Sequence, residues 1–222
     1  AVPSVLEEGK VLHYCIVNDL PSLVWVANLG AIELHPNLAL ARDVNTPTTL
    51  AFDLDPGPPA RLLDACRVGL ELRSLLDQLG IASRPKTSGG KGLHVYVPLN
   101  APHSYAQTKT FARAVAGLLA RRAPEKVVDR MARRLRAGKV FVDWSQNDPT
   151  KTTVAAYSLR ARERPTASTP VTWEEIADAL ETSDAKRLSF EANDVAKRVE
   201  ELGDPFRPVL DVEQRLPSPE QV

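Results

Sequence analysis

Cysteine, aromatic residues and net charge are all scarce in this chain. Among 222 residues there are two cysteines, Cys15 and Cys66. Two thiols exclude a disulfide framework and a cysteine zinc cluster. Both sit among apolar neighbours and read as reduced core thiols of a cytosolic protein. Phe, Trp and Tyr together make 5% of the chain, while Ala, Arg, Leu and Pro abound, a bias of the kind a GC-rich genome imposes. No apolar run approaches the ~20 residues that span a bilayer. The start, Ala1-Val2-Pro3-Ser4-Val5-Leu6-Glu7-Glu8, lacks the pattern of a signal peptide. These absences predict a cytoplasmic protein with no membrane partner. Hydrophobic content of 43% and charged content of 25% are ordinary for a globular chain. The length suits one large domain or two small ones.

The formal net charge is +0, but its distribution is uneven. Between Arg84 and Arg164 there are 17 Lys and Arg against 5 Asp and Glu. From Glu174 to the end, 13 acids face 6 bases. A basic middle suits a polyanionic partner. Its densest part, Arg121 to Arg136, reads as one helical stretch, with a helix predicted from Pro124 to Leu135. The alternative is a solvated helix face with no ligand.

The most informative word is Thr49-Leu50-Ala51-Phe52-Asp53-Leu54-Asp55-Pro56-Gly57. An apolar run stopped by Pro-Gly predicts a buried strand ending at a turn. Alternation puts Asp53 and Asp55 on one face, about 7 Å apart. Paired carboxylates at a strand end suit hard divalent ions and phosphoryl chemistry. Ordinary turn chemistry before Pro-Gly is the plainer alternative.

Further strands are predicted at 11–17, Ala31–His35, Ile81–Pro85, Leu93–Leu99, Lys139–Val142 and Thr153–Leu159. Helices are predicted at Ser22–Leu29, from Pro58 to Leu79, from Ser104 to Leu119, from Thr172 to Leu180 and from Glu191 to Leu202. The third of these opens on a Ser cap and the fourth on a capping box. The mixture, without repeats or a long linker, predicts an α+β (mixed α/β) domain with one main sheet.

Ser88-Gly89-Gly90-Lys91-Gly92 lies between two strands. Its glycines let backbone N–H groups converge on an anion, and Lys91 adds a charge. A glycine-rich hairpin turn explains the same residues without a ligand. His94 follows in the next strand, where a histidine is often only a core residue. Asp143 ends an apolar strand as Asp53 and Asp55 do, so three carboxylates are expected to converge and hold two metals. Gln146 lies three residues on. Arg160 and Arg162 alternate in an extended stretch, so they face the same way and suit a triphosphate or DNA backbone.

Taken together, these words resemble the polymerase domain of bacterial ligase D, in the archaeo-eukaryotic primase superfamily. The resemblance also rests on Leu23-Val24-Trp25-Val26-Ala27-Asn28-Leu29, Ile32-Glu33-Leu34-His35, Thr152-Thr153-Val154-Ala155 and Ser168-Thr169-Pro170-Val171-Thr172-Trp173. It runs from about Val11 to Pro217, and residues 1–222 read as one catalytic domain. It implies a primase-polymerase fold, a mixed central sheet flanked by helices with the carboxylates at strand ends. Asp53, Asp55 and Asp143 would be the catalytic metal ligands for two ions, Mn²⁺ or Mg²⁺. Ser88, Gly89, Gly90, Lys91, Gln146 and Arg160 would grip a nucleoside triphosphate, with His35, His94 and Arg162 in the same pocket. The implied activity is nucleotide addition, often of ribonucleotides, to a primer 3′-hydroxyl in gap filling and end repair during non-homologous end joining. Implied partners are DNA ends and gaps bearing a 5′-phosphate, a Ku-type protein and a DNA ligase, in the cytoplasm at the nucleoid.

The match departs in two places. A segment of somewhat under a hundred residues normally precedes the equivalent of Val11, and Ala1–Lys10 does not resemble it. The loop from Pro36 to Pro47 is shorter than expected. Two other readings compete. One is a nucleotide or DNA-end binding module without turnover. The other is a haloacid-dehalogenase-type phosphatase, whose Phe-Asp-Leu-Asp word wants Thr or Val where Gly57 stands.

Overall fold

The structure is a computed structural model describing residues 6, 7, 10, 11 and 13–218. Its centre is a five-stranded sheet in the order β4-β5-β3-β7-β6. These strands are Arg84–Thr87, Leu93–Pro98, Thr49–Pro56, Val140–Asp143 and Val127–Val128 respectively. All pairings are antiparallel except β6 with β7. Separately, β1, Leu6–Glu7, pairs antiparallel with β2, Lys10–Val11.

Alternation divides the sheet into two faces. Leu50, Phe52 and Leu54 of β3, Leu93, Val95 and Val97 of β5, and Val140 and Val142 of β7 are wholly buried or nearly so. They pack against α2, Leu62–Gln78, and α3, Tyr105–Arg122. Fully burying such side chains contributes roughly 1.5–3 kcal/mol each. The opposite face carries the charged residues of β3, β4, β5 and β7. A second, smaller cluster of Leu38, Ala51, Tyr96, Tyr105 and Val209 closes one end of it.

The helices follow their caps. Ser104 accepts from the Gln107 amide, and Gln107 Oε1 accepts back from the Ser104 amide at 2.8 Å. Thr172 and Glu175 do the same at the start of α4, Trp173–Glu181. Asp19 caps α1, Leu20–Asn28, two residues before the predicted start. Of α1, only Val26 is buried, and Trp25, Val24 and Leu20 are exposed. Glu191 caps α5, Ala192–Leu202, and a short α6, Pro208–Asp211, follows. Pro58 and Pro59 do not open α2; they lie in a turn closed by Ala60 N–H to Gly57 O, and Arg61 is the cap. No helix among the described residues is long and apolar enough to cross a membrane.

Several predicted elements take other forms. The helix expected from Pro124 to Leu135 is absent. Val127 and Val128 are β-branched and buried, and they pair in parallel with Val140 and Phe141. Tertiary pairing overrides the helical pattern there, leaving only a 3₁₀ turn at Arg133–Leu135. The basic run is therefore a loop edge, with Arg130, Arg133 and Arg134 exposed. If this edge holds DNA, reversing Arg133 and Arg134 should flatten the plot of log affinity against log salt by about one unit for each phosphate no longer neutralised. Fluorescence anisotropy across a salt series measures this, and unchanged slopes remove the edge from the interface.

The strand expected at Ala31–His35 is also absent. The stretch runs beside Thr153–Ala155, with Ala155 N–H to Leu34 O at 2.8 Å and Thr153 N–H to Pro36 O at 3.1 Å. Side chains intrude on the ladder: Ser158 Oγ takes the Leu34 amide and Glu33 takes the Ala161 amide. Side-chain acceptors of this kind compete with sheet pairing, so Thr153–Leu159 forms no strand either. Ile81–Pro85 yields to Arg84–Thr87. The 11–17 strand reduces to Val11 in β2, with Leu12 outside the described residues.

Cys66 is buried in the core, but Cys15 is exposed. Burial pushes the Cys66 thiol up to about 12. A thiol-disulfide reagent should therefore titrate one cysteine rapidly in the native protein and the second only after unfolding. Two fast thiols would contradict the packing around Cys66.

Candidate active site

Opposed residues in an antiparallel pair project to the same face. Asp53 faces Asp143 on β7 and His94 on β5, and His94 faces Lys86 on β4. One row of side chains thus crosses four strands: Lys86, His94, Asp53, Asp143. Asp55 lies two residues beyond Asp53 on the same face, opposite Phe141.

Each carboxylate has its own partners. Asp143 Oδ1 accepts from the Ser145 amide at 2.8 Å and Ser145 Oγ at 2.6 Å, while Oδ2 accepts from Gln146 Nε2 at 3.1 Å. Asp55 pairs with Lys91 Nζ at 2.9 Å and with Arg136 Nη1 at 3.7 Å. Arg136 is stacked 3.8 Å above the Phe141 ring. Asp53 Oδ1 is 3.4 Å from His94 Nε2. Burial pushes the Asp53 carboxyl up, but His94, Lys86 and Arg160 outweigh it and hold it below its ordinary value. Burial and the neighbouring Lys86 push His94 down.

The glycine-rich stretch is the β4–β5 hairpin turn, closed by Ser88 N–H to Gly92 O at 3.0 Å. Ser88 Oγ accepts from the amides of Gly90 and Gly92 at 3.2 and 3.1 Å. Two amides expected to meet an anion thus hold the serine hydroxyl. Gly89 has φ +66°, and a Cβ there would sit 2.8 Å from the backbone of Ala167 and Ser168. Only glycine meets both demands. Arg160 Nη1 donates to Ser88 O at 3.2 Å, and Arg162 lies over Gly90, where an added Cβ would meet its Nη2 at 2.7 Å. Both arginines therefore face this turn, as their spacing predicts, although their segment is not a strand.

His35 reaches the site through Glu33. Glu33 Oε2 is 3.0 Å from His35 Nε2, and Oε1 is 3.3 Å from Arg160 Nε. The Ala161 amide first, and His35 next, hold Glu33 below the usual carboxylate range. His94 is buried and touches both the Asp53 carboxylate and Lys86.

The donor set is chemically suited to hard divalent ions, being three carboxylates on one face. The expected convergence holds for the backbone and not for the side chains. Among the described residues, no three His, Cys, Asp or Glu side chains stand close enough to share an ion. An ion bound by all three acids requires Asp55 to turn away from Lys91 and Arg136.

Sequence reasoning missed Lys86, Glu33 and Arg136 as parts of this site. Glu33 shares the period-two spacing of His35, which was a usable signal. Arg136 was hidden in a basic run, and Lys86 carried no local sign of burial.

A mixed sheet with three acids on one face, a glycine-rich turn at its rim and two arginines over that turn defines a primase-polymerase domain. The family model for the LigD primase-polymerase domain matches residues 2–206, and the chain belongs to that family. It is 41% identical over 217 residues to the multifunctional non-homologous end joining protein LigD of Mycolicibacterium smegmatis, covering 94% of this chain and 28% of that protein. It is 30% identical over 195 residues to the bifunctional non-homologous end joining protein LigD of Bacillus subtilis, covering 87% of this chain and 31% of that protein. The chain thus spans about a third or less of the curated relatives it matches. The polymerase domain of Mycobacterium tuberculosis ligase D, solved in complex with DNA, superposes with a TM-score of 0.85 at 34% identity. That match covers 96% of this chain and 75% of the other. Membership in this family displaces the phosphatase reading.

Proposed function

We propose that this domain is a DNA-directed nucleotidyltransferase that extends primer 3′-hydroxyls during non-homologous end joining, with ribonucleotides favoured. The observation that carries this is the cross-strand row that sets Asp53 opposite Asp143, with Asp55 beside Lys91 and the Ser88–Gly92 turn. Family membership supports the reaction class, and the DNA in the solved relative supports the substrate.

Asp53, Asp55 and Asp143 would hold two divalent ions, Mn²⁺ or Mg²⁺. Such ions neutralise charge at the attacking and leaving oxygens of an in-line displacement. The other residues bind and orient. Lys91, Arg160 and Arg162 neutralise the triphosphate at the turn, where charge-assisted bonds are strongest. Gln146 and Ser145 hold the Asp143 carboxylate in one rotamer. Glu33 keeps Arg160 aimed, with His35 behind it. The 3′-oxygen bonds to the α-phosphorus and pyrophosphate departs. Gaps and ends with a 5′-phosphate are the DNA substrates, and a Ku-type protein and a DNA ligase are the working partners, at the nucleoid of the cytoplasm.

The test is primer extension on a short gapped duplex with a 5′-phosphate, in Mn²⁺ and in Mg²⁺, with each nucleotide set. Extension by the chain supports the reading. Nucleotide binding without extension replaces it with a binding module.

A further inference from the structure

Lys86 is the most deeply buried charged group in the described sheet, at 0% exposure. Burial pushes it down to about 7. Its Nζ is 2.6 Å from Ser168 Oγ, 3.2 Å from His94 Nδ1 and 5.6 Å from the centre of the Tyr96 ring. A buried amine is costly unless it is hydrogen-bonded, and here His94 and Ser168 supply the partners.

We infer that Lys86 is a positioning residue for the acidic face, fixing the His94 imidazole in the tautomer whose Nε2–H points at Asp53. The inference rests on the proposed role of Asp53 as a metal-binding carboxylate. The hydrogen bonds define the direction of the relay. Ser168 Oγ gives its hydrogen to Thr87 O at 2.8 Å, so it accepts from Lys86. A lysine ammonium has donors only, so His94 Nδ1 accepts as well. Nδ1 as acceptor leaves the hydrogen on Nε2. That nitrogen lies 3.4 Å from Asp53 Oδ1, which as a carboxylate only accepts. Constraints from both ends of the ring therefore select one tautomer. The row is rigid because its members are cross-strand neighbours, and a bridge from Lys86 to Pro170 anchors its outer end.

A merely electrostatic Lys86 makes the opposite prediction for metal affinity. Removing a nearby positive charge strengthens cation binding, whereas losing the orientation of Asp53 weakens it. Outer-shell partners of metal ligands typically matter by about 10–100-fold in affinity.

The test combines side-chain ¹⁵N–¹³C correlation spectra of His94 with Mn²⁺ titration by electron paramagnetic resonance. Spectra are taken near the ordinary imidazole value of about 6.5, where Lys86 keeps its ammonium and the His94 ring, held below that value by burial, is mainly neutral. The parent should show a single Nε2–H tautomer. Lys86→Met should mix the tautomers and weaken Mn²⁺ about tenfold. Ser168→Ala, which keeps the amine, should retain the parent tautomer. An Nδ1–H ring in the parent overturns the inference, and that result needs no variant to fold. So does Lys86→Met with an unchanged tautomer, or with tighter Mn²⁺. Absent Mn²⁺ binding by the parent is a failure of the functional reading instead, and the tautomer still reports the Lys86–His94–Asp53 geometry by itself.

Discussion

Asp143→Asn is expected to abolish primer extension, slowing single-turnover addition by about 10³-fold or more, while leaving the thermal midpoint close to the parent's. The figure corresponds to about 4 kcal/mol of charge stabilisation lost at the reacting phosphate. Asparagine is the informative substitution because Asp143 has two duties. Its Oδ1 accepts from Ser145 N and Oγ, a local turn that an amide oxygen can keep. Its charge completes the row with Asp53 and the face with Asp55. Alanine removes both, so Asp143→Ala should lose activity and also about 1 kcal/mol of stability. If the asparagine variant keeps activity within tenfold of the parent, the three-carboxylate site is wrong. If both variants unfold early, Asp143 is chiefly structural.

Gly57→Ala should cause the largest loss of stability of any single methyl added to this site, about 3 kcal/mol or more. A Cβ at Gly57 would lie 2.0 Å from Arg136 O and 2.7 Å from its carbonyl carbon. The obstacle is backbone, so no rotamer change relieves it. The two segments are also tied by Gly57 N–H to Lys139 O at 2.8 Å and Gly138 N–H to Gly57 O at 3.1 Å. Gly80→Ala is the matched control. It has φ +71° but nothing within 4 Å of the added carbon, so it should cost only about 1 kcal/mol. Urea unfolding of the three proteins gives the comparison. Equal losses for Gly57 and Gly80 would falsify the close approach of Gly57 to Arg136. Because Arg136 pairs with Asp55, the Gly57 variant should also lose activity in the fraction that remains folded.

The legible parts of this fold are those where local chemistry and tertiary environment agree. The β3 run, the Ser104 and Thr172 caps, and the apolar period of α2 could each be read from neighbours in sequence. So could the placement of Asp53 and Asp55 on one face, which follows from alternation alone. Pairing could not be read. That Asp53 stands opposite Asp143, and His94 opposite Lys86, depends on registers between distant strands. The failed helix at Pro124–Leu135 shows the same limit, since Val127 and Val128 obey β7 and not their own basic neighbours. At Ala31–His35 and Thr153–Leu159 the patterns were strand-like, but Glu33 and Ser158 side chains took amides that a ladder would have used. The buried Lys86 was invisible for a related reason: in sequence it is one more base in a basic stretch.

Lys91 ties two parts of the site together through its bond to Asp55. On the proposed assignment it neutralises a carboxylate until a triphosphate draws it to the turn, where Arg160 and Arg162 already wait. The same lysine therefore cannot serve both partners, and its departure removes the nearer of the two cations that hold Asp55, leaving Arg136 as the other. Nucleotide and divalent ion are then thermodynamically linked: each raises the affinity of the other, and by the same factor in both directions.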